Sequence, residues 1–192
     1  MICNAFIYLQ YADNDAYGAL NKPLPETVHL HDGDVVLRDG KGFISSVFRQ
    51  SSLQQKRFTH AGFIHKKNNA IYVYHYLDDK AQSGLHIETF ADYVSSDKSS
   101  AFAIVRYDLP AVALQQLNNY IATSPLFAVA FDSGFDLCSD STLYCTEWIA
   151  KALAKASNQK DFIPETMVGS LTYIAPDNLY LNNHCKIIYE SN

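Results

Sequence analysis

The 192-residue sequence lacks clusters of basic residues, a long apolar run and paired-cysteine motifs. Its 15 Lys and Arg residues are fewer than its 20 Asp and Glu residues, and the formal net charge is −5. Because binding to nucleic acid requires clustered Lys and Arg, nucleic acid is not an expected partner. No apolar run approaches the roughly 20 residues of a membrane-spanning helix, so no membrane span is expected. Residues 1–9 are apolar, but they lack a basic leader region and a clear cleavage site, so we do not predict a signal peptide.

The four cysteines are Cys3, Cys138, Cys145 and Cys185, and their spacing matches no CxxC pattern of zinc or redox sites. If one of them is a nucleophile, an odd number remains. One disulfide among Cys3, Cys138 and Cys185 is compatible with the sequence, which does not determine the pairing. Cysteine usage therefore leaves the cellular compartment open.

The length and the 48% content of hydrophobic residues predict a single domain over residues 1–192. Short apolar strand patterns alternate with helical patterns, and no repeat or linker divides the chain, so we expect an α+β fold. Residues 3–20 have a weak helical pattern that Pro23 and Pro25 end, and we interpret residues 1–30 as an N-terminal helical extension. The sequence gives no indication of the oligomeric state.

A helix is predicted to start within residues 143–149. Asp140, Ser141 and Thr142 precede it, and each can accept a free backbone N–H group at a helix start. Its apolar residues recur at helical spacing: Cys145, Trp148, Ile149, Ala152, Leu153 and Ala156. A cysteine in the first turn lies at the positive end of the helix dipole, which favours the reactive thiolate. The alternative is a small apolar residue that packs in the core.

Two strands are predicted over residues 58–65 and 71–77, and Asn68-Asn69 favours a two-residue type I′ turn between them. In that register Ile64 faces Val73. Shifting the loop by one residue, to 67–68, is the alternative register.

The predicted hairpin brings two histidines together. His60 and His75 lie on one face, as diagonal neighbours in the first register and as a direct pair in the second. Gly62 clears space between them, whereas His65 falls on the opposite face. A thiol nucleophile needs a base and a group that orients the base, and Cys145, His60 and His75 could supply these roles. A thiolate–imidazolium pair would keep the cysteine charged. A zinc site formed by the same three residues is the alternative.

The remaining polar candidates are assigned structural positions. Glu147 is expected to stabilise the first turn of the helix. The others are Asp132 and Asp136 as loop caps, His29 and His31 in solvent, and His86 and His184 without a predicted partner.

Three segments carry a resemblance to a known family: Gly33-Asp34-Val35-Val36-Leu37-Arg38, Thr59-His60-Ala61-Gly62-Phe63-Ile64 and Tyr144-Cys145-Thr146-Glu147. They resemble the circularly permuted branch of the papain-like NlpC/P60 superfamily, in particular the YiiX/YaeF-like bacterial cysteine hydrolases. In that branch the histidine strand precedes the cysteine helix, as it does here. The resemblance also includes residues 131–132 and 175–179, and it covers roughly residues 33–189.

The resemblance implies a permuted papain-like fold, with a mostly antiparallel sheet packed against the cysteine helix. It implies Cys145 as nucleophile, with its backbone N–H as an oxyanion donor, His60 as general base and His75 at the third position. Relatives often carry a carboxylate at this position. His75 therefore departs from the family pattern and is similar to the arrangement of the related lecithin retinol acyltransferase-like proteins. The implied site contains no cofactor and no metal.

The implied reaction is acyl transfer from an amide or ester to Cys145, followed by hydrolysis of the thioester. A cell-wall peptide or a lipid-like acyl compound is the implied substrate. The alternatives are a thiol acyltransferase and a non-catalytic lipid- or peptide-binding module in which Cys145 is merely packed. Many relatives are exported to the bacterial cell envelope, but without a recognisable signal peptide the localisation stays open.

Overall fold

The computed structural model of the chain describes residues 24–41, 43–79 and 82–191. Most of the predicted helical extension, residues 1–23 with Cys3, lies outside the described residues. Residues 24–30, which follow the helical pattern predicted over residues 3–20, contain a turn and no helix. The two prolines in positions 23 and 25 disfavour helix formation at this point of the chain.

In chain order, the elements are β1 (Val35–Gly40), α1 (Phe43–Ser51), β2 (His60–Lys67), β3 (Ala70–Asp78), β4 (Ser83–Thr89), α2 (Phe90–Tyr93), β5 (Ser99–Tyr107), α3 (Ala111–Thr123), β6 (Ala130–Phe131), β7 (Thr142–Leu143), α4 (Cys145–Ser157), β8 (Thr166–Val168), β9 (Leu171–Tyr173) and β10 (Cys185–Glu190). Six strands form one antiparallel sheet in the order β10-β5-β1-β2-β3-β4. The predicted α+β fold with a mostly antiparallel sheet is therefore confirmed, as is the edge position of the last strand.

Neighbouring residues along a strand point to opposite sides of the sheet, and both sides are buried by apolar clusters. On one face, Leu37 belongs to the apolar cluster that contains Leu117 of α3 and Trp148 of α4. On the other face, Val36 belongs to a second cluster that contains Tyr93 of α2. Among the described residues, no helix has the length and apolar character to cross a bilayer.

The hairpin of β2 and β3 has the first of the two predicted registers. Asn68 and Asn69 have φ angles of 51° and 62°, as a type I′ turn requires. Ile64 pairs with Val73, which confirms the prediction. A Cβ atom placed on Gly62 would lie 2.5 Å from Cγ1 of Val73 and 3.0 Å from Cβ of His75. The glycine thus permits the close approach of β3, as the sequence indicated.

The cysteine helix α4 begins at Cys145, and Tyr144 is its N-cap residue. The three predicted capping residues, 140–142, lie further upstream, and Thr142 belongs to the short strand β7. Glu147 Oε2 accepts a hydrogen bond from the backbone N–H of Tyr144 (3.2 Å), and Lys151 Nζ lies 2.7 Å from its other carboxylate oxygen. These contacts confirm that Glu147 stabilises the first turn of the helix.

Candidate functional site

His60 and His75 meet where β2 and β3 diverge. The paired register of these strands ends at Phe63 and Tyr74, and the two histidines lie beyond it. His60 Nε2 is 2.8 Å from His75 Nδ1, so the predicted histidine pair is confirmed. Both rings contact the ring of Tyr93, with centroids 5.9 Å and 5.0 Å apart. The pair therefore lies on the α2 face of the sheet and is almost completely buried.

Burial keeps both imidazoles neutral. It lowers the pKa of His60 well below its usual value, and the positive charges of Arg38, His75 and His86 act in the same direction. Burial also lowers the pKa of His75 to about 4, although a hydrogen bond to Glu88 opposes this shift. At neutral pH each ring thus carries one proton, and the position of that proton decides which nitrogen can act as a base.

Glu88 of β4 determines the position of the proton on His75. Its Oε1 lies 3.0 Å from His75 Nε2, and Lys98 Nζ contacts its Oε2. Partial burial opposes ionisation, but these two hydrogen bonds outweigh it and lower the pKa of Glu88 to about 2. A carboxylate only accepts hydrogen bonds, so His75 must donate its Nε2–H.

The proton on His75 fixes that on His60. With Nε2–H donated to Glu88, His75 Nδ1 is an acceptor, and His60 must donate its own Nε2–H to it. His60 Nδ1 then has a free lone pair, and it makes no hydrogen bond to any described residue. This is the tautomer that a general base at His60 requires.

We expect Glu88→Ala to release His75 into a mixture of tautomers. The unsatisfied buried N–H should also lower the free energy of unfolding by about 1–3 kcal/mol. Long-range 15N–1H correlations of the imidazole rings measure the tautomers directly. Lys98→Ala is the control, because it removes the other contact of the carboxylate and should leave both tautomers as in the wild type. A single unchanged His75 tautomer in Glu88→Ala would contradict the assignment.

Cys145 lies on the other face of the sheet, in the cluster with Trp148. The backbone of Ala61, the residue that follows His60, acts to lower the pKa of the Cys145 thiol. The backbone N–H groups of Cys145 and Thr146 also interact with it. The sulfur thus lies beside the backbone of the strand that carries the first histidine, at the start of β2.

The burial of Cys145 opposes the expected thiolate. Cys145 is fully buried, and burial raises the pKa of its thiol to about 11. Hydrogen bonds from the backbone at Ala61 and Thr146 and the charge of Arg38 act in the opposite direction, but they do not compensate. Desolvation therefore exceeds the effect of the helix N-terminus, and the resting site contains a neutral thiol and a neutral His60.

A groove of about 490 Å³ reaches His60 but not Cys145. Its wall includes four polar residues and two aromatic ones: Arg38, Thr59, His60, Glu88, Phe48 and Phe131. Phe48 and Phe131 each contact Phe135, with ring centroids 4.8 Å and 5.8 Å apart, and Phe135 packs on Tyr144 at 5.6 Å. This aromatic cluster lies between the groove and the start of α4.

The structure gives contacts to the other predicted candidates. Asp132 accepts hydrogen bonds from the backbone of Gly134 (2.8 Å) and of Asp136 (3.2 Å), and Asp136 accepts one from the backbone of Cys138 (2.7 Å), which confirms both loop caps.

His29 and His31 are exposed, as expected. The two histidines without a predicted partner each have one: His86 Nε2 lies 2.7 Å from the carbonyl oxygen of Gln82, and the ring of His184 stacks on Phe162.

Cys138, Cys145 and Cys185 are free thiols. A disulfide between Cys138 and Cys185 is therefore absent, and pairing with Cys3 lies outside the described residues. No group of three or more His, Cys, Asp or Glu side chains within residues 24–41, 43–79 and 82–191 is placed to hold a metal ion. His75 directs its nitrogens at His60 and at Glu88, so the ring nitrogens of the pair do not converge on a common point.

Two residues of the site, Glu88 and Arg38, were not predicted. Glu88 is the diagonal neighbour of His75 across β3 and β4, but finding it requires the register of these two strands, which the sequence does not indicate. Arg38 closes the motif that starts at Gly33, but the sequence does not show that it is buried.

Comparisons with known proteins support the fold. No protein-family model and no curated protein matches the chain. A solved structure, the metalloprotein yiiX from Escherichia coli O157:H7, superposes with a TM-score of 0.66 and 14% sequence identity. The match covers 83% of this chain and 97% of that one. At this identity the likeness concerns the fold alone, and the chain has the α+β fold of the yiiX structure.

Proposed function

We propose that this protein is a cysteine-dependent acyl hydrolase of the permuted NlpC/P60 type. The observation that carries the proposal is the buried pair of His60 and His75 where β2 and β3 diverge, next to Ala61, whose backbone acts on the pKa of the Cys145 thiol. The likeness to the yiiX fold is compatible with a permuted papain-like arrangement. The substrate is an amide or ester, either a cell-wall peptide or a lipid-like acyl compound.

In the proposed reaction, the sulfur of Cys145 attacks the acyl carbon while His60 Nδ1 takes the thiol proton. Proton transfer accompanies the attack, because both groups are neutral at rest. The backbone N–H groups of Cys145 and Thr146, at the start of α4, donate to the oxyanion in this proposal. His60 then protonates the leaving group, and water releases the acid from the thioester with His60 as base.

The sulfur of Cys145 is not accessible from the groove, so this reaction requires a movement of side chains. Cys145 is fully buried, and the cluster of Phe48, Phe131, Phe135 and Tyr144 lies between it and the groove. Acylation therefore requires that these aromatic side chains move apart when the substrate enters. It also requires that the sulfur, which makes no hydrogen bond to His60 or His75 in the described structure, comes within reach of His60 Nδ1. The same burial favours a second candidate function, a non-catalytic binding module in which the thiol only packs.

The two candidates differ in whether Cys145 is acylated. We expect p-nitrophenyl acetate and p-nitrophenyl decanoate to leave an acyl group on Cys145, detected by intact mass and peptide mapping after an acid quench. Cys145→Ala should lose this product. Cys138→Ala is the matched control, because Cys138 is the exposed thiol among the described residues and should react non-specifically in every variant that retains it.

Acylation confined to Cys138 would overturn the hydrolase proposal and leave the binding module. If Cys145 is acylated, adding an amine or alcohol separates hydrolysis from transfer: free acid identifies a hydrolase, whereas an amide or ester product identifies an acyltransferase.

A further inference from the structure

Arg38 carries a charge that is buried without a carboxylate partner. It is 7% exposed. Its Nη1 donates a hydrogen bond to the carbonyl oxygen of Tyr93 (2.9 Å), and its guanidinium lies 4.2 Å from the centre of the Tyr93 ring. Nε is buried without a hydrogen-bond partner, and Nη2 donates to no described residue. Two nitrogens of the guanidinium thus donate to no described residue.

The other arginines make different contacts. Arg49 pairs with Asp39, Arg57 with Glu190 and Arg106 with Asp34, and the side chains of all three are more than a quarter exposed. The most buried arginine of the chain is therefore the one that lacks a carboxylate among the described residues. Burying an unpaired charge is costly, so such an arrangement needs a reason.

The position of Arg38 suggests the reason. It lines the same groove as His60, and its charge lowers the pKa of His60, of His75 and of the Cys145 thiol. An anion on the guanidinium would cancel its effect on all three groups, so that His60 becomes a stronger base while the thiol becomes a weaker acid. The arginine is thus placed to couple recognition of a negative group to the reactivity of the site.

The other charged residues of the groove are engaged or lie at its rim. Lys41 donates to the carbonyl oxygen of Ser96, and Lys98 pairs with Glu88. The remaining acidic residues of the groove are exposed, and none of them pairs with Arg38: Asp78, Asp79 and Asp97. An oxyanion that enters the groove would therefore find Arg38 without a competing ion pair.

We propose that Arg38 binds an anionic group of the acyl substrate, a carboxylate or phosphate close to the bond that is broken. This inference rests on the proposed function and adds a substrate class to it: acyl compounds with a negative charge on the acyl part. The Nε and Nη2 edge of the guanidinium, which is free of described partners, matches the two oxygens of such a group.

The test compares two p-nitrophenyl esters of equal chain length, the anionic glutarate monoester and the neutral valerate ester. Acylation of wild-type Cys145 should be about ten- to a hundredfold faster with the anionic ester. In Arg38→Met the ratio of the two rates should fall to about one. Arg57→Met is the matched control, because Arg57 also lies over an aromatic ring but outside the groove, and it should keep the wild-type ratio.

A ratio near one in the wild type would overturn the role of Arg38 while leaving the acyl hydrolase intact. If neither ester acylates Cys145, the hydrolase proposal fails, and inorganic phosphate then tests the anion site. Phosphate should shift the imidazole NMR signals of His60 in the wild type and not in Arg38→Met. The absence of a shift in the wild type, or an equal shift in both proteins, would overturn the anion site as well.

Discussion

Replacing His60 by alanine should slow the acylation of Cys145 by about 10²–10⁴-fold, the usual contribution of a general base. The effect is expected to be large because the resting thiol has a pKa of about 11 and needs a base to lose its proton during attack. The hydrogen bonds from His60 to His75 and from His75 to Glu88 keep the proton of His60 on Nε2, so its Nδ1 is free to accept the thiol proton. The measurement is the rate of the p-nitrophenol burst, with Cys145 acylation confirmed by mass spectrometry.

His65→Ala is the matched control for this experiment. His65 belongs to the same strand, but it lies on the opposite face, 3.4 Å from Asp32 and remote from the histidine pair. Both variants lose an imidazole from β2. A difference in rate between them therefore reports on the role of His60 as general base and not on the loss of an imidazole. Equal rates in His60→Ala and His65→Ala would contradict a general base at His60, even if Cys145 itself is acylated.

Local turn chemistry explains why the histidine pair could be predicted. Asn68 and Asn69 both adopt positive φ, which fixes the hairpin register, and the register places His60 and His75 on one face. The contact between Glu88 and His75 depends on the next register, between β3 and β4. The residues that connect those two strands carry no comparable turn signal, so the sequence did not indicate this partner.

Burial explains why the state of the thiol was not predicted. The helix pattern correctly places Cys145 in the first turn of α4, where the dipole favours thiolate. The cost of burying a charge depends on tertiary packing, here on Ala61 and the aromatic residues around Tyr144, which are remote in sequence. The burial of Arg38 also depends on tertiary packing, since its motif gives no indication that its guanidinium is buried without a carboxylate.

The buried histidine pair should make the protein less stable in acid. The pKa of His75 is about 4 in the folded protein and 6.5 in the unfolded chain. Between these values the unfolded chain binds a proton that the folded protein does not bind, so the free energy of unfolding decreases as the pH falls. From pH 7 to pH 4 the loss from His75 should be about 3 kcal/mol. The pKa of His60 is lowered in the same direction, and its contribution has the same sign.

Urea denaturation between pH 7 and pH 4 measures this loss, and His75→Gln isolates its origin. Glutamine retains an acceptor and a donor but does not titrate, so the variant should lose less free energy of unfolding over this range than the wild type does. Glu88 has a folded pKa of about 2, and it adds to the loss only as the pH falls through about 4.5, where the unfolded carboxylate starts to bind a proton. A decrease between pH 7 and pH 5 therefore reports on the histidines. An equal decrease in wild type and His75→Gln would show that His75 is not the buried neutral group, and the tautomer assignment of His60 would then lose its basis.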